Sequence, residues 1–301
     1  MINKKNNLFN LFNLFSAFRL ENSLKNILIF LPLIFSQRNL NSDQLTPLLM
    51  GFFFLIFMTS ICYVTNDFSD RHIDKNNKLK IKKINISKKN VILLNVFLFS
   101  VILILFFKTI LINQFIFFYL ILFFSYNFFF KHIRFLDILF LVSFYLIRLL
   151  YGAELVDIDL SKMFLIFFTS TFLILAIFKR MMQISNNNLI GKNDIIQYSY
   201  SNFPFFKNII VLSTFINLSV LIIFLIEMIY PNTFINLSAE ETNYDYNIYA
   251  LTLGLLIYFF WLIRIIYMVF NKKIKKDFYS FVIKDKISYV VISAILLALL
   301  V

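Results

Sequence analysis

The sequence has few charged residues, few glycines and one cysteine, and each shortage excludes a class of protein. Charged residues make up 15% of the 301 positions and hydrophobic residues 60%, whereas a soluble domain is about one quarter charged and about half apolar. Four glycines, none of them clustered, leave no glycine-rich loop for a nucleotide phosphate. The single cysteine, Cys62, lies in an apolar run, so neither a disulfide framework nor a thiolate metal site can form.

Apolar runs near the length that crosses a bilayer recur along the whole chain. Such a crossing takes about 20 residues in a helix. The runs predict nine transmembrane helices, at 25–39, 46–66, 90–107, 114–130, 135–153, 163–179, 208–230, 247–270 and 287–301. We therefore expect an all-α, polytopic membrane protein that forms one transmembrane domain over residues 1–301, with residues 1–24 as a cytoplasmic amphipathic arm.

Basic residues fall in alternate polar segments of this topology. Of the 29 Lys and Arg residues, 24 lie on the side of the N-terminus and three on the other side, while Arg148 and Arg264 lie within spans. Because basic residues accumulate in cytoplasmic loops, the sequence predicts a multi-pass protein of the cytoplasmic (inner) membrane with a cytoplasmic N-terminus. The formal net charge of +13 is then mostly a topological signal, so the expected partner is the bilayer and not nucleic acid.

An acidic cluster follows the second predicted span. Asn66, Asp67, Asp70 and Asp74 form the pattern Asn-Asp-x-x-Asp-x-x-x-Asp, and on a continuing helix all four project to one side. Three carboxylates on one face repel one another unless a cation neutralises them. Mg²⁺, held by a few carboxylates together with the oxygens of a substrate phosphate, suits such a set. The alternative is a solvated loop in which the Asp residues pair with the lysines that follow.

This motif resembles the aspartate-rich motif of the UbiA superfamily of intramembrane prenyltransferases, which have nine helices and a cytoplasm-facing cavity. Most of the chain is similar to one branch, the decaprenyl-phosphate phosphoribosyltransferases. The matching residues are Arg19, Leu24-Lys25-Asn26, Pro32-Leu33, Tyr126, Lys131, Leu136-Asp137, Arg148, Gly152-Ala153 and Lys179-Arg180. The resemblance implies a UbiA-like helical bundle.

A basic pair follows the sixth predicted span, where other members of the superfamily carry a second carboxylate pair for a second Mg²⁺. Here Lys179 and Gln183 occupy that spacing, with Arg180 beside them. A Lys-Arg pair repels a metal and attracts phosphate oxygens. The branch has the signature Lys-Arg-x-x-Glu, and Gln183 removes a charge that could orient Arg180. Without the resemblance, the pair is equally well the ordinary basic flank of a transmembrane helix.

The resemblance implies transfer of 5-phosphoribose from phosphoribosyl diphosphate to a polyprenyl phosphate, with Mg²⁺ as cofactor and release of pyrophosphate. Such a product would serve lipid-linked pentose and cell-envelope glycan synthesis. The expected metal ligands are Asn66, Asp67, Asp70 and Asp74, and the expected catalytic residues are Asp67, Asp70 and Asp137. The expected substrate-binding residues are Lys25, Asn26, Tyr126, Lys131, Arg148, Lys179 and Arg180.

Alternatives stay open at several of these positions. Asp137 could pair structurally with Lys131 or Arg134, and Arg148, about 16 Å deeper on the same helix face, could stabilise helix packing. Asp285 could contact substrate or pair with a neighbouring lysine. At the level of function, a UbiA-type prenyltransferase acting on a prenyl diphosphate and a small aromatic acceptor is one rival, and a transporter or lipid-binding protein is another. A homo-oligomer also stays open.

Overall fold

The computed structural model describes residues 24–36, 42–69, 96, 99–100, 113–190, 198–229, 248–274, 281–282 and 284–300. Every regular element in these ranges is helical. A 3-10 helix at Leu24–Phe30 continues into α1, Leu31–Ser36. The other α-helices are α2 Ser42–Ser69, α3 Gln114–Phe128, α4 Leu136–Leu155, α5 Lys162–Ile190, α6 Phe203–Ile229, α7 Ile248–Phe270 and α8 Lys286–Leu300. Most of the predicted third span, 90–107, and the predicted arm fall outside the described residues.

Length and composition make these helices membrane helices. Among the described residues, five stretches are long and apolar enough to cross a bilayer: Asp43–Asn66, Leu136–Leu155, Lys162–Ser185, Tyr200–Glu227 and Thr252–Phe270. Three shorter apolar helices, Lys25–Ser36, Gln114–Phe128 and Lys286–Ile295, coincide with further predicted spans. The protein is thus an all-helical membrane protein as predicted, while the total of nine spans stays a prediction.

The helix α4 is the one around which the first half of the bundle packs. It contacts the 3-10 helix, α1, α2, α3 and α5. Its buried residues Ile138, Val142, Tyr145 and Leu149 belong to the main hydrophobic core. They recur every three or four positions, which puts them on one face of a helix. Beyond α5, the chain packs in order as α6, α7 and α8.

The first segment approaches α4 closely because of a glycine. A Cβ atom added at Gly152 would lie 2.1 Å from the carbonyl oxygen of Ile29 and 2.7 Å from its Cα. No side chain fits in that space, so the backbone of the 3-10 helix rests directly on the backbone of α4. Ile29 is fully buried there.

Polar side chains connect α5, α6 and α7 within the apolar interior. Ser170 donates a hydrogen bond to Asn217 Oδ1, and Asn217 Nδ2 donates to Thr171 Oγ1 at 3.2 Å. The hydroxyls of Thr171 and Tyr258 are 3.3 Å apart. Where water is absent, such groups must find protein partners. These four side chains therefore hold the three helices together.

Candidate functional site

One end of the bundle collects the predicted polar residues. At this end α2, α3 and α5 finish, and α4 and α6 begin. Asn66, near the end of α2, accepts a hydrogen bond from Lys131 Nζ at 3.2 Å. Lys131 lies in the short 3-10 helix Phe130–His132 and is buried. A predicted metal ligand and a predicted phosphate-binding residue are therefore in direct contact. We call this end of the bundle the basic end.

The other predicted metal ligands cannot be placed in the same way. Asp67 belongs to the helical backbone of α2, but its side chain is outside the described part of the molecule, as are Asp70 and Asp74. Among the side chains that are described, no three His, Cys, Asp or Glu residues cluster to hold a metal ion. Asn66 offers an oxygen ligand of the kind that Mg²⁺ accepts. Because that oxygen faces the Lys131 ammonium, an ion here would depend on the three Asp carboxylates.

Asp137 and Arg180 form a buried ion pair at the basic end. Arg180 Nε faces Asp137 Oδ2, and the contact lacks the alignment of a hydrogen bond. Asp137 is 0% and Arg180 2% exposed. A buried charge is costly unless it is compensated, and here each side chain neutralises the other. Asp137 therefore pairs with the arginine of α5, a partner that the sequence interpretation did not consider.

This pair also corrects the predicted end of the sixth span. The sequence analysis ends the span at residue 179 and expects Arg180 just beyond it, as a phosphate-binding residue or as the basic flank of the helix. In the structure, α5 continues to Ile190 and Arg180 lies inside the bundle. The neutralising carboxylate from α4 permits this, because its charge offsets part of the cost of burying the guanidinium.

Gln183 orients the Arg180 side chain. Its Oε1 accepts a hydrogen bond from Arg180 Nη1 at 2.6 Å, one turn along α5. A neutral amide thus fixes the guanidinium without adding a negative charge. Arg180 Nη2 is buried and has no hydrogen-bond partner among the described residues. Unlike Nε, it does not face the Asp137 carboxylate, so it is the better placed of the two to donate to an anion.

Tyr198 is a site residue that the sequence interpretation missed. Its hydroxyl donates to Asp137 Oδ1 at 2.6 Å and accepts from the Phe135 backbone N–H at 2.7 Å. Burial raises the pKa of Tyr198, so the hydroxyl stays protonated and can donate. Tyr198 belongs to no motif. Its only signal in the sequence is a position shortly before a span, in a predicted cytoplasmic segment.

The backbone beneath Tyr198 is strained. Phe135 precedes α4 with a φ of 68°, a region that costs a residue with a side chain about 1–3 kcal/mol. The hydrogen bond from the Phe135 N–H to the Tyr198 hydroxyl and the edge-on contact with Phe205, at 5.2 Å between ring centroids, hold this turn. The turn brings Asp137 to the first turn of α4, facing Arg180.

A second group of predicted residues lies deeper in the bundle. Arg148 Nε donates to Asn26 Oδ1 at 2.9 Å, and Arg148 Nη2 donates to the Tyr119 hydroxyl at 3.0 Å. The third nitrogen donates to the carbonyl oxygen of Phe144. Asn26 in turn donates to Thr59 Oγ1 at 3.3 Å. Arg148 thus joins the first segment, α3 and, through Asn26, α2, which is the arrangement expected of a packing residue.

This group is separate from the basic end. Arg148 is eleven residues after Asp137, which is about 16 Å along α4. The sequence interpretation put Lys25 and Asn26 at the level of Lys131. The contact with Arg148 shows that Asn26 lies deeper, because the 3-10 helix packs against the inner part of α4.

The remaining predicted substrate-binding residues are half-buried. Tyr126 on α3 packs its ring against Phe140 and Phe144 of α4, at 5.9 Å between centroids in both cases. Lys179 precedes Arg180 on α5, and Lys25 lies in the first 3-10 helix. The structure therefore brings Asn66, Lys131, Asp137 and Arg180 to one end, with Tyr126 on the neighbouring helix.

Asp285 has a different partner from those expected. Both of its oxygens accept from Arg264 of α7, at 2.6 and 2.9 Å. One oxygen also accepts from the backbone N–H of Ser288 at 3.0 Å and so caps α8. The hydrogen bond from Arg264 lowers the pKa of Asp285 to about 2. This carboxylate ties α7 to α8.

Comparison with protein-family models and with curated proteins gives no match for this chain.

Proposed function

We propose that this protein transfers the 5-phosphoribosyl group of phosphoribosyl diphosphate to a polyprenyl phosphate and releases pyrophosphate. The contact between Asn66 and Lys131, beside the Asp137–Arg180 pair, is the observation that carries the proposal. It joins the start of a motif suited to Mg²⁺ with nitrogen donors suited to phosphates. The proposal includes a UbiA-like bundle whose cavity opens at the basic end, toward the cytoplasm.

The position of the segment 131–137 supports a single site. Asn66 of α2 contacts its first residue, and Arg180 of α5 contacts its last. Six residues span at most about 22 Å even when extended, and this segment includes a helical turn. Asn66 and Arg180 are therefore near enough to act on one substrate headgroup complex.

The chemistry needs positioning more than proton transfer. An oxygen of the acceptor phosphate attacks the anomeric carbon, the bond from that carbon to the diphosphate oxygen breaks, and the diphosphate leaves with the electron pair. The attacking phosphate is already anionic, so no general base is required. The protein's contribution is to orient both substrates and to compensate the charge that develops.

The residues of the basic end divide this work. Asn66, Asp67, Asp70 and Asp74 would hold Mg²⁺, which supplies neutralisation of the departing diphosphate. Lys131 and Lys179 supply positive charge for phosphate groups. Arg180 is already neutralised by Asp137, so its part is directional: Nη2 presents a fixed N–H to a phosphate oxygen.

The proposal is tested with membranes that contain the protein, phosphoribosyl diphosphate labelled in the ribose, and a polyprenyl phosphate. We expect a labelled lipid that depends on Mg²⁺, together with one pyrophosphate per lipid. Prenyl transfer to an aromatic acceptor, without a labelled lipid, would instead assign a UbiA-type prenyltransferase. The absence of both reactions in folded protein would leave a transporter or a lipid-binding protein.

The metal motif is tested by Asp70→Ala. This change should abolish turnover while the protein remains folded and extractable, because it removes one carboxylate from the proposed Mg²⁺ site. Asp43→Ala is the matched control, since Asp43 is exposed in the first turn of the same helix, at its other end. Equal activity of the two variants would reject the metal assignment.

A further inference from the structure

Two lysines share one aromatic ring where α6 begins and α7 ends. Lys207 Nζ lies 5.5 Å and Lys272 Nζ 5.7 Å from the centroid of the Phe203 ring. Lys272 also lies over Tyr200 at 4.4 Å, and Lys207 over Phe270 at 5.0 Å. We call these five residues the lysine–aromatic patch.

The rings hold the two ammonium groups but do not neutralise them. An aromatic face attracts a cation through its quadrupole and carries no net charge. Within the described part of the chain, the ion pairs are Asp137–Arg180 and Arg264–Asp285, so neither Lys207 nor Lys272 faces a carboxylate there. Two like charges held beside one ring repel each other. An anion placed between them would relieve that repulsion.

The backbone fixes Lys272 in this position. Lys272 has a φ of 54°, in the left-handed region in which helices commonly end. The N–H of Lys272 donates to the Val269 carbonyl at 3.1 Å, and the N–H of Lys273 donates to the Met268 carbonyl at 2.9 Å. The negative end of the dipole of α7 also favours a cation at this point. The lysine is thus placed by the fold.

An apolar stripe leads along α7 to this end. Leu256, Phe260, Ile263 and Tyr267 are between 56% and 68% exposed. Their spacing of four, three and four residues puts them on one face of the helix. Lys273 Nζ lies 4.6 Å from the centroid of the Tyr267 ring, at the head of the stripe. Hydrocarbon chains can pack on the stripe and a phosphate can bind the lysines. A soluble anion would need the lysines alone.

We propose that the lysine–aromatic patch binds the headgroup of an anionic phospholipid, with its phosphate between Lys207 and Lys272 and its acyl chains along the exposed stripe of α7. This proposal does not depend on the proposed transferase chemistry, and its test does not require activity.

The test is thermal unfolding of the purified protein in a neutral detergent with added phosphatidylglycerol or phosphatidylcholine. Phosphatidylglycerol should stabilise the unaltered protein at lower concentration than phosphatidylcholine does. Each lysine near the bilayer surface is worth about a fivefold change in affinity, so the Lys207→Gln/Lys272→Gln variant should need about 25-fold more phosphatidylglycerol. The Lys207→Arg/Lys272→Arg variant keeps both charges and should retain most of the response.

The matched control is Lys284→Gln/Lys286→Gln. It removes the same charge from two exposed lysines beside the start of α8, neither of which lies over an aromatic ring within the described residues. This control should respond to phosphatidylglycerol like the unaltered protein. An equal loss in both double variants would overturn the proposal, because general surface charge would then explain the binding.

Two further outcomes would also overturn it. One is equal stabilisation by the two lipids. The other is equal stabilisation by millimolar inorganic phosphate, which would assign the patch to a soluble anion. If the double glutamine variant does not fold, bound phosphatidylglycerol is counted by native mass spectrometry on each single variant, and an unchanged count in both decides against the site.

Discussion

The close approach at Gly152 gives the sharpest test of the fold. In Gly152→Ala, the new Cβ would start 2.1 Å from the Ile29 carbonyl oxygen, whereas carbon and oxygen approach to no less than about 3.3 Å. The 3-10 helix must therefore move by about 1 Å. The Ile29 atoms that the new Cβ meets belong to the backbone, and the Cβ itself is bonded directly to the backbone of α4, so no rotation of a side chain can relieve the contact.

The size of the effect follows from what this movement disturbs. Overpacking a core costs about 1–3 kcal/mol. The 2.9 Å hydrogen bond from Arg148 to Asn26 lies in the same segment, and a bond to a charged group contributes about 1.5–3 kcal/mol. The gain in helix propensity from Gly to Ala offsets about 1 kcal/mol. The net expectation is a loss of about 1.5–5 kcal/mol.

Gly51→Ala is the matched control. The nearest atom to its new Cβ is Leu155 Cδ1 at 2.4 Å, the end of a flexible side chain, and the next is Tyr151 Cε1 at 3.4 Å. The Leu155 side chain can rotate away, and the same helix-propensity gain applies. Thermal unfolding in detergent, followed by circular dichroism, should show a clearly lower midpoint for Gly152→Ala alone. Equal midpoints would mean that the first segment does not rest on α4.

Three other predictions concern the polar contacts and the orientation. Tyr198→Phe keeps the ring but leaves a buried carboxylate without its hydroxyl donor, so it should cost about 1.5–3 kcal/mol in thermal unfolding, and Tyr200→Phe should cost much less. The pKa of Asp285 is lowered from 3.8 to about 2, so the stability that this carboxylate contributes is complete above about pH 4. It is lost as the pH falls toward about 2. The fluorescence of the single tryptophan should change in that range, and should not change in Asp285→Asn. In intact cells, a membrane-impermeant maleimide should label Asp159→Cys, on the predicted outer side, and should label Lys284→Cys, on the predicted cytoplasmic side, only after permeabilisation. The natural cysteine is buried and should not react. The reverse pattern would invert the proposed topology.

Most of the helices were predictable from the sequence because the bilayer imposes a length on apolar runs. The predicted spans 114–130, 135–153 and 247–270 agree with α3, α4 and α7 to within two residues. At α5, the predicted end at residue 179 falls short of the observed end at Ile190, because Lys179 and Arg180 interrupt the apolar run without ending the helix. The hydrophobic pattern does not show that Asp137 pairs with Arg180, and this ion pair is what allows Arg180 to be buried.

The candidate site was predictable in its residue types but not in its pairings. Asn66, Lys131 and Arg180 were selected from spacing and resemblance, and the structure places all three at one end. The bonds from Tyr198 to Asp137 and from Arg148 to Asn26 join residues 61 and 122 positions apart. Such pairs depend on which helices become neighbours, and a single sequence does not specify that.

The polar side chains shared by α5, α6 and α7 restrict where this bundle can open. Separating these helices would turn the amide of Asn217 and the hydroxyls of Ser170 and Thr171 toward hydrocarbon, where no water can replace the lost partners. The three helices should therefore move as one rigid wall. If the proposed acceptor's isoprenoid tail enters sideways from the bilayer, it would have to separate other helices. The three linked helices would then form the fixed side of that lateral opening.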